Sequence, residues 1–197
     1  KMVEPHFAML WDQDIPRVVR RDTDGRTVEI TVIAGALDGS VPQPPPPASW
    51  ASRPESDLAI WHLTMDPGAS CSLPAAAGGD DTARILYVFE GDGITVEGET
   101  VAGATGAVVD AARPITVVAG AAPAEVLMLQ ARPLREPVAQ YGPFVMNTRA
   151  EIQQAFDDYQ RTLFGGWPWD RDDPVHGLDD ARFARHADGR VEHAVSV

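Results

Sequence analysis

Short predicted strands recur along most of this 197-residue chain, and their regular spacing is the feature that most constrains its fold. Strands separated by roughly 8–12 residues, with Gly- or Pro-bearing turns between them, are typical of an antiparallel sandwich or barrel. Residues 37–54, with four consecutive prolines, predict a stiff surface loop or, alternatively, a ligand for aromatic-lined domains. The predicted strands are residues 18–19, 27–34, 57–65, 83–90, 94–97, 107–109, 115–118 and 125–130.

A long amphipathic helix is predicted after these strands. Gly142-Pro143 predicts a turn, and Thr148 with Glu151 three residues later predicts a capping box at the start of a helix. Gly165-Gly166 predicts its end. The capped start and the apolar face predict an element that docks against another part of the protein. The residues of that face are Ile152, Ala155, Phe156, Tyr159 and Leu163.

The segment around this helix contains a distinctive series of residues. It consists of residues 136–148, Asp158-Tyr159-Gln160 and residues 164–169, which read Phe-Gly-Gly-Trp-Pro-Trp. Together these stretches resemble the C-terminal part of the pirin family. Residues 1–5 and Asp14-Ile15-Pro16 resemble the segment that joins the two cupin domains of a pirin. The resemblance extends to about Ala184 and implies a fold rather than an activity.

The resemblance implies an all-β fold, a cupin-type antiparallel jelly-roll barrel with a C-terminal α-helix and an irregular Trp-rich tail. Residues 1–16 are expected to form an interdomain arm and residues 17–134 the cupin domain. Residues 135–166 would contain the docking segment and helix, and residues 167–197 the extended tail. The chain begins with Lys1, and we expect that an upstream domain is missing here. The alternative is that the natural protein starts at Met2. The residues expected to dock against that domain are Glu136, Pro137, Tyr141, Phe144, Met146, Phe156 and Tyr159.

Metal-binding cupins supply a His-x-His pair, a nearby carboxylate and a later His. Alternate residues of a strand point to the same face, so the pair places two imidazoles on one interior metal. At the matching positions this chain has Pro74 and Ala76, and a lone carboxylate from Asp80 or Asp81 would be a weak site. No His occurs in residues 63–175. We therefore expect no metal, no cofactor and no catalytic residue in this chain.

The remaining histidines and the lone cysteine are interpreted as structural. His62 lies in the middle of a predicted strand and is expected to have a hydrogen-bonded structural role. Cys71 is expected in a bend beside a strand, as a small, partly buried residue, because acidic surroundings do not favour a reactive thiolate. His176, His186 and His193 match no zinc spacing, so no specific metal site is expected among them.

The formal charge of −13 makes direct binding to nucleic acid unfavourable, because phosphate backbones would be repelled. No apolar run approaches the roughly 20 residues of a membrane span, and no signal peptide is visible. We expect a cytoplasmic protein without a membrane partner. Its expected partners are the missing N-terminal cupin domain, a second copy of this chain or another protein.

Three functional hypotheses follow from the resemblance. In pirins the N-terminal cupin holds a metal, usually iron, with three His and one Glu, and the C-terminal cupin holds none. The first hypothesis is that this chain, inactive alone, completes an iron-dependent dioxygenase of the quercetin 2,3-dioxygenase type. The second is a redox-dependent regulatory protein that acts on transcription factors or metabolic enzymes. The third is a stand-alone structural cupin whose exposed apolar face leads to dimers or aggregates.

Overall fold

The computed structural model describes residue 3 and residues 6–165, 182–186 and 188–194. Contacts divide the chain into a first unit, His6–Pro133, and a second unit that begins at Leu134. The first unit is built mainly from strands. They are β1 (Arg17–Arg21), β2 (Thr27–Ala34), β3 (Ala59–Met65), β4 (Ser70–Leu73), β5 (Ala83–Glu90), β6 (Gly93–Val96), β7 (Glu99–Ala102), β8 (Thr105–Val109), β9 (Ile115–Ala119) and β10 (Ala124–Ala131).

These strands form two antiparallel sheets. The larger sheet has the order β1-β2-β3-β10-β5-β8, and the smaller has the order β4-β9-β6-β7. Burial alternates along the strands: in β5, Arg84, Leu86 and Val88 are buried, whereas Ile85 and Tyr87 are exposed. Each sheet therefore has one interior face and one solvent face. Buried side chains from both sheets belong to one hydrophobic core cluster.

Most predicted strands are confirmed, and β2 and β5 have the predicted bounds. Strands β4 and β7, of four residues each, were not predicted. Cys71 lies inside β4, so its predicted place in a bend was wrong. A two-residue turn joins β6 and β7, and its residues Glu97 and Gly98 both have positive φ. Turns of this kind match the twist of a hairpin.

The second unit contains one α-helix and two small hairpins among its described residues. Strands β11 (Ala139–Tyr141) and β12 (Phe144–Met146) pair across the predicted turn at Gly142. Helix α1 (Arg149–Thr162) follows, and β13 (Phe183–Arg185) pairs with β14 (Val191–His193). Over the part of the chain that the structure describes, no helix is both long enough and apolar enough to cross a membrane.

Helix α1 begins at the predicted capping box. The Thr148 hydroxyl accepts a hydrogen bond from the Glu151 N–H at 3.2 Å, and the Glu151 carboxylate accepts one from the Thr148 N–H at 2.8 Å. Two backbone donors that the first turn leaves unpaired are thereby satisfied. The start of the helix is thus determined by local side-chain chemistry.

We expect Thr148→Ala to destabilise the first turn of α1 by about 1 kcal/mol, because the Glu151 N–H loses its side-chain acceptor. Amide hydrogen exchange in the first turn of α1 measures this change. Thr148→Ser is the matched control, since it keeps the hydroxyl and should retain near wild-type protection. Equal protection in Thr148→Ala and the wild type would contradict the role of the cap.

The end and the exposure of α1 differ from the prediction. The helix ends at Thr162, before Gly165-Gly166, because Leu163 adopts a left-handed backbone conformation with φ of 50°. The chain then turns so that the ring of Phe164 packs 5.3 Å from that of Tyr159. Tyr159 and Leu163 are 45% and 56% exposed, and only the first two residues of the predicted apolar face, Ile152 and Ala155, are buried.

Candidate functional site

The first unit contains a pocket of about 600 Å³. The loop that precedes β3 forms much of its wall and contributes Pro42, Pro44 and Pro45. The proline-rich loop is thus part of a cavity wall. Arg84, near the start of β5, and Gln130, near the end of β10, also line the pocket.

The positions that spacing predicts for the His-x-His pair of a metal-binding cupin line the same pocket. They hold Pro74 and Ala76, whose side chains have no atom that can coordinate a metal. Asp80 and Asp81 lie in a 3-10 turn, Gly79–Asp81, that is not part of the pocket wall. Within the ranges that the structure describes, no group of three His, Cys, Asp or Glu residues could hold a metal ion. These residues do not fit a cupin metal, and a metal-free chain remains a prediction.

Buried and half-buried polar residues form a hydrogen-bonded network at this pocket. Arg84 donates from Nε and Nη2 to Gln130 Oε1, at 2.8 and 2.5 Å. Gln130 donates from Nε2 to the backbone oxygen of Asp57 at 3.0 Å. Asp57 Oδ2 accepts hydrogen bonds from the Gly78 N–H at 2.8 Å and the Thr82 hydroxyl at 2.7 Å. We call Asp57, Thr82, Arg84 and Gln130 the polar network.

Strand pairing explains why these side chains meet. Arg84 is in phase with the interior residues of β5, and Gln130 is in phase with Met128 and the other interior residues of β10. In the antiparallel ladder Gln130 lies directly opposite Arg84. Side chains of directly opposed residues on one face lie close enough to interact. The register therefore places the guanidinium against the amide.

Arg84 is a buried cation that is only partly paired. It is 1% exposed, and its Nη1 atom has no hydrogen-bond partner in the described part of the chain. Burial lowers the pKa of Arg84, and the charges of Asp57 and Asp110 partly oppose that effect. The Ala112 N–H and the Arg113 guanidinium are the main groups that hold the pKa of Asp110 below its ordinary value.

The polar network was missed by the sequence analysis, although one signal for it was available. Arg84 is a charged residue at a position in phase with the apolar interior residues of a regularly alternating strand. A charged residue on an interior face requires partners, because burial of an unpaired charge is costly. The partners themselves depend on the pairing of β5 with β10, which the sequence does not show.

The predicted docking residues lie together in the second unit. The ring of Phe144 is 4.8 Å from that of Phe156 and 6.2 Å from that of Tyr159, between centroids. Tyr141 packs on Phe156 at 5.7 Å, and Phe164, which was not among the predicted residues, packs on Phe144 at 6.0 Å. We call these five residues the aromatic cluster. Tyr141 is 70% exposed, so much of the cluster faces solvent.

The other predicted docking residues flank this cluster. Asn147 Nδ2 donates to Glu136 Oε2 and to the backbone oxygen of Pro137, both at 2.9 Å. Met146 pairs with Ala139 across the β11–β12 hairpin. The segment is thus ordered by its own contacts, and its docking role remains a prediction.

The hydrogen-bonded role predicted for His62 is confirmed, since its Nε2 lies 2.8 Å from Glu125 Oε2. Cys71 is buried, and Arg20 Nη1 lies 3.4 Å from its sulfur. The expectation that its surroundings are acidic was therefore incomplete. Arg20 is itself paired with Asp38, whose carboxylate accepts a hydrogen bond from Nη2 at 2.7 Å.

The C-terminal histidines are only partly described. His186 Nε2 lies 2.9 Å from Glu192 Oε2. Residues 166–181 lie outside the described residues. They include His176 and, in the predicted Trp-rich tail, Trp167 and Trp169.

The solvent face of the larger sheet carries an exposed apolar stripe. Ile85 on β5 lies opposite Val108 on β8 and opposite Leu129 on β10. All three side chains are exposed, as are Tyr87 and Phe89 further along β5. We call these five residues the outer apolar stripe. Exposed apolar groups that adjoin one another commonly mark an interaction surface.

Comparisons with known proteins agree with this geometry. A family model of the pirin C-terminal cupin domain matches residues 60–165. A Pseudomonas aeruginosa protein that carries a provisional name as a quercetin 2,3-dioxygenase is 37% identical over 177 residues, covering 81% of this chain and 53% of that protein. A pirin-like protein of Solanum lycopersicum is 32% identical over 163 residues, covering 81% of this chain and 50% of that protein.

Solved structures show the same fold. The crystal structure of a quercetin 2,3-dioxygenase from Acinetobacter baumannii superposes with a TM-score of 0.62 and 28% sequence identity, covering 79% of this chain and 49% of that chain. The predicted cupin-type jelly roll is thereby confirmed. The chain spans about half the length of the curated relatives it matches. It is a cupin related to quercetin 2,3-dioxygenase-like proteins, and it belongs to the pirin family.

Proposed function

We propose that this chain is the metal-free C-terminal cupin half of a two-domain pirin-like protein. The complete protein would be an iron-dependent dioxygenase of the quercetin 2,3-dioxygenase type. The observation that carries the proposal is that Pro74 and Ala76, the residues predicted from spacing to match the two His of a metal-binding cupin, line the pocket. The names of the matched relatives, and their roughly twofold greater length, support the same assignment.

The contribution of this chain would be to enclose the active site of the partner domain rather than to perform the reaction. Iron in that domain would supply the activation of dioxygen and of an aromatic diol. Two surfaces of this chain suit such a partner, the outer apolar stripe and the exposed side of the aromatic cluster. Both would remove apolar area from water on docking, which favours association.

We expect this chain to retain no stoichiometric iron after anaerobic equilibrium dialysis against Fe(II), because its pocket offers no set of metal ligands. The full-length protein that contains this chain should retain iron and should consume quercetin. Metal analysis and the decay of quercetin absorbance provide the two measurements.

The Acinetobacter baumannii quercetin 2,3-dioxygenase is a suitable positive control for the absorbance assay. Stoichiometric iron in the present chain would overturn its assignment as the metal-free half. A fully iron-loaded full-length protein that leaves quercetin unchanged would reject the dioxygenase function and would favour the regulatory alternative.

A further inference from the structure

One nitrogen of the buried Arg84 guanidinium has no acceptor among the described residues. Nε and Nη2 are used by Gln130, whereas Nη1 has neither a hydrogen-bond partner nor contact with solvent. No carboxylate of the described residues lies within ion-pair distance of Arg84. Buried hydrogen-bond donors nearly always have an acceptor in folded proteins, so a buried cationic donor without an acceptor requires an explanation. A ligand that brings its own acceptor is such an explanation.

The polar network holds this guanidinium in a defined orientation. Two hydrogen bonds from Arg84 to Gln130 restrict its plane, and Gln130 is itself held by Asp57. Asp57 is in turn held by Thr82 and by a backbone N–H. The donor therefore does not need to be ordered when a ligand arrives. Binding to a preorganised group loses less conformational entropy than binding to a mobile one.

The wall of the pocket is mainly apolar. Its volume of about 600 Å³ lies in the range of small-molecule sites, which combine apolar walls with a few fixed polar groups. Leu58, Trp61 and Ala76 provide apolar surface beside the proline-rich loop. The Trp61 indole N–H is already used, since it donates to the Gly35 oxygen at 3.2 Å. The wall thus suits the hydrocarbon part of a ligand.

The charges at the pocket favour a single anionic group. Arg84 is the buried cation of the wall, whereas Arg53 is exposed and lies 3.9 Å from the Glu55 carboxylate. Asp57 also lines the pocket, but its Oδ2 already accepts two hydrogen bonds. One buried donor suits the oxygen of a carboxylate better than a phosphate, whose greater charge requires several donors. Hydrogen bonds between ionised partners are also the stronger ones.

We infer that this pocket binds a small carboxylic acid with an apolar body, whose carboxylate pairs with the guanidinium of Arg84 in the pocket wall. This ligand site lies within the present chain and needs no metal. It goes beyond the proposed dioxygenase function and does not depend on it. The site would give the C-terminal cupin a binding role of its own.

Isothermal titration calorimetry of the present chain with benzoate, phenylacetate and hexanoate tests this inference. Each acid is compared with its neutral amide, which has nearly the same shape. A hydrogen bond between charged groups contributes roughly 1.5–3 kcal/mol, so at least one acid should bind about tenfold or more tightly than its amide. Equal affinity of all acids and amides, or no binding of any acid at about 10 mM, would overturn the inference.

The variant Arg84→Met/Gln130→Leu removes the donor together with the residue that orients it. Its affinity for the acid should fall about tenfold or more, to that of the amide. Arg17→Met is the matched control, because Arg17 lies on β1 and is not part of the pocket wall. Unchanged acid affinity in the double variant would also overturn the inference.

A second measurement does not require a variant that folds. The side-chain Nε–H resonance of Arg84 in the wild-type ¹⁵N spectrum should shift on addition of the acid and not on addition of the amide. If this resonance does not shift at saturating acid, Arg84 is not the group that binds the carboxylate.

Discussion

Leu86→Ala is expected to destabilise the first unit by about 3 kcal/mol. Leu86 is 0% exposed and belongs to the hydrophobic core cluster. Truncation removes buried apolar surface and leaves a cavity that the two packed sheets can close only in part. Chemical denaturation followed by tryptophan fluorescence measures the change in the free energy of unfolding.

Leu129→Ala is the matched control for this substitution. It makes the same chemical change on the neighbouring strand β10, but Leu129 is 41% exposed and faces the other side of the sheet. We expect it to cost under about 1 kcal/mol, as is usual for partly exposed positions. Similar losses for the two variants would contradict the assignment of the interior and solvent faces.

The strands that were predicted well are those with a long alternation. β2 and β5 each have eight residues, enough for the period of two to appear in the sequence. β4 and β7 have four residues each, and their strand conformation depends on pairing with β9 and β6. The pairing of β4 with the distant β9 is not encoded in local periodicity. β7 pairs with β6 across a two-residue turn, but its sequence Glu-Thr-Val-Ala shows no apolar-polar alternation.

The two ends of α1 illustrate the same distinction. Its start is determined by Thr148 and Glu151, which lie three residues apart and need no other part of the chain. Its end depends on packing, because Phe164 turns back onto the rings of Tyr159 and Phe144. A Gly-Gly pair permits a helix to end but does not require the helix to continue that far.

The sequence pointed to this pocket only through two positions that lack a metal-coordinating side chain. Pro74 and Ala76 were identified by spacing, and both line the pocket. Arg84 and Gln130 are 46 residues apart and meet only because β5 and β10 are adjacent. Their phase within each strand indicates an interior position, whereas their contact requires the register. The sequence therefore predicted positions without metal ligands, and the structure shows which polar groups line the pocket.

Gln130→Leu is expected to be among the most destabilising substitutions at the pocket, with a cost of about 3 kcal/mol. It removes the acceptor of both hydrogen bonds that Arg84 forms and leaves a buried cation without a direct partner. Arg84→Met should cost less, about 1–2 kcal/mol, because it leaves only the neutral Gln130 oxygen without a donor. The free energies of unfolding from denaturation in urea measure both effects.

The double variant Arg84→Met/Gln130→Leu separates the cost of an unpaired charge from the contribution of the pair. With both polar groups removed, the unpaired buried charge at position 84 is gone, and the stability should lie within about 1 kcal/mol of the wild type. Arg84→Met should therefore stabilise the Gln130→Leu variant by about 2 kcal/mol, although it destabilises the wild type. Losses that simply add in the double variant would show that Arg84 and Gln130 act independently. In that case the guanidinium would not be oriented by the polar network, and the preorganised anchor of the pocket would have no physical basis.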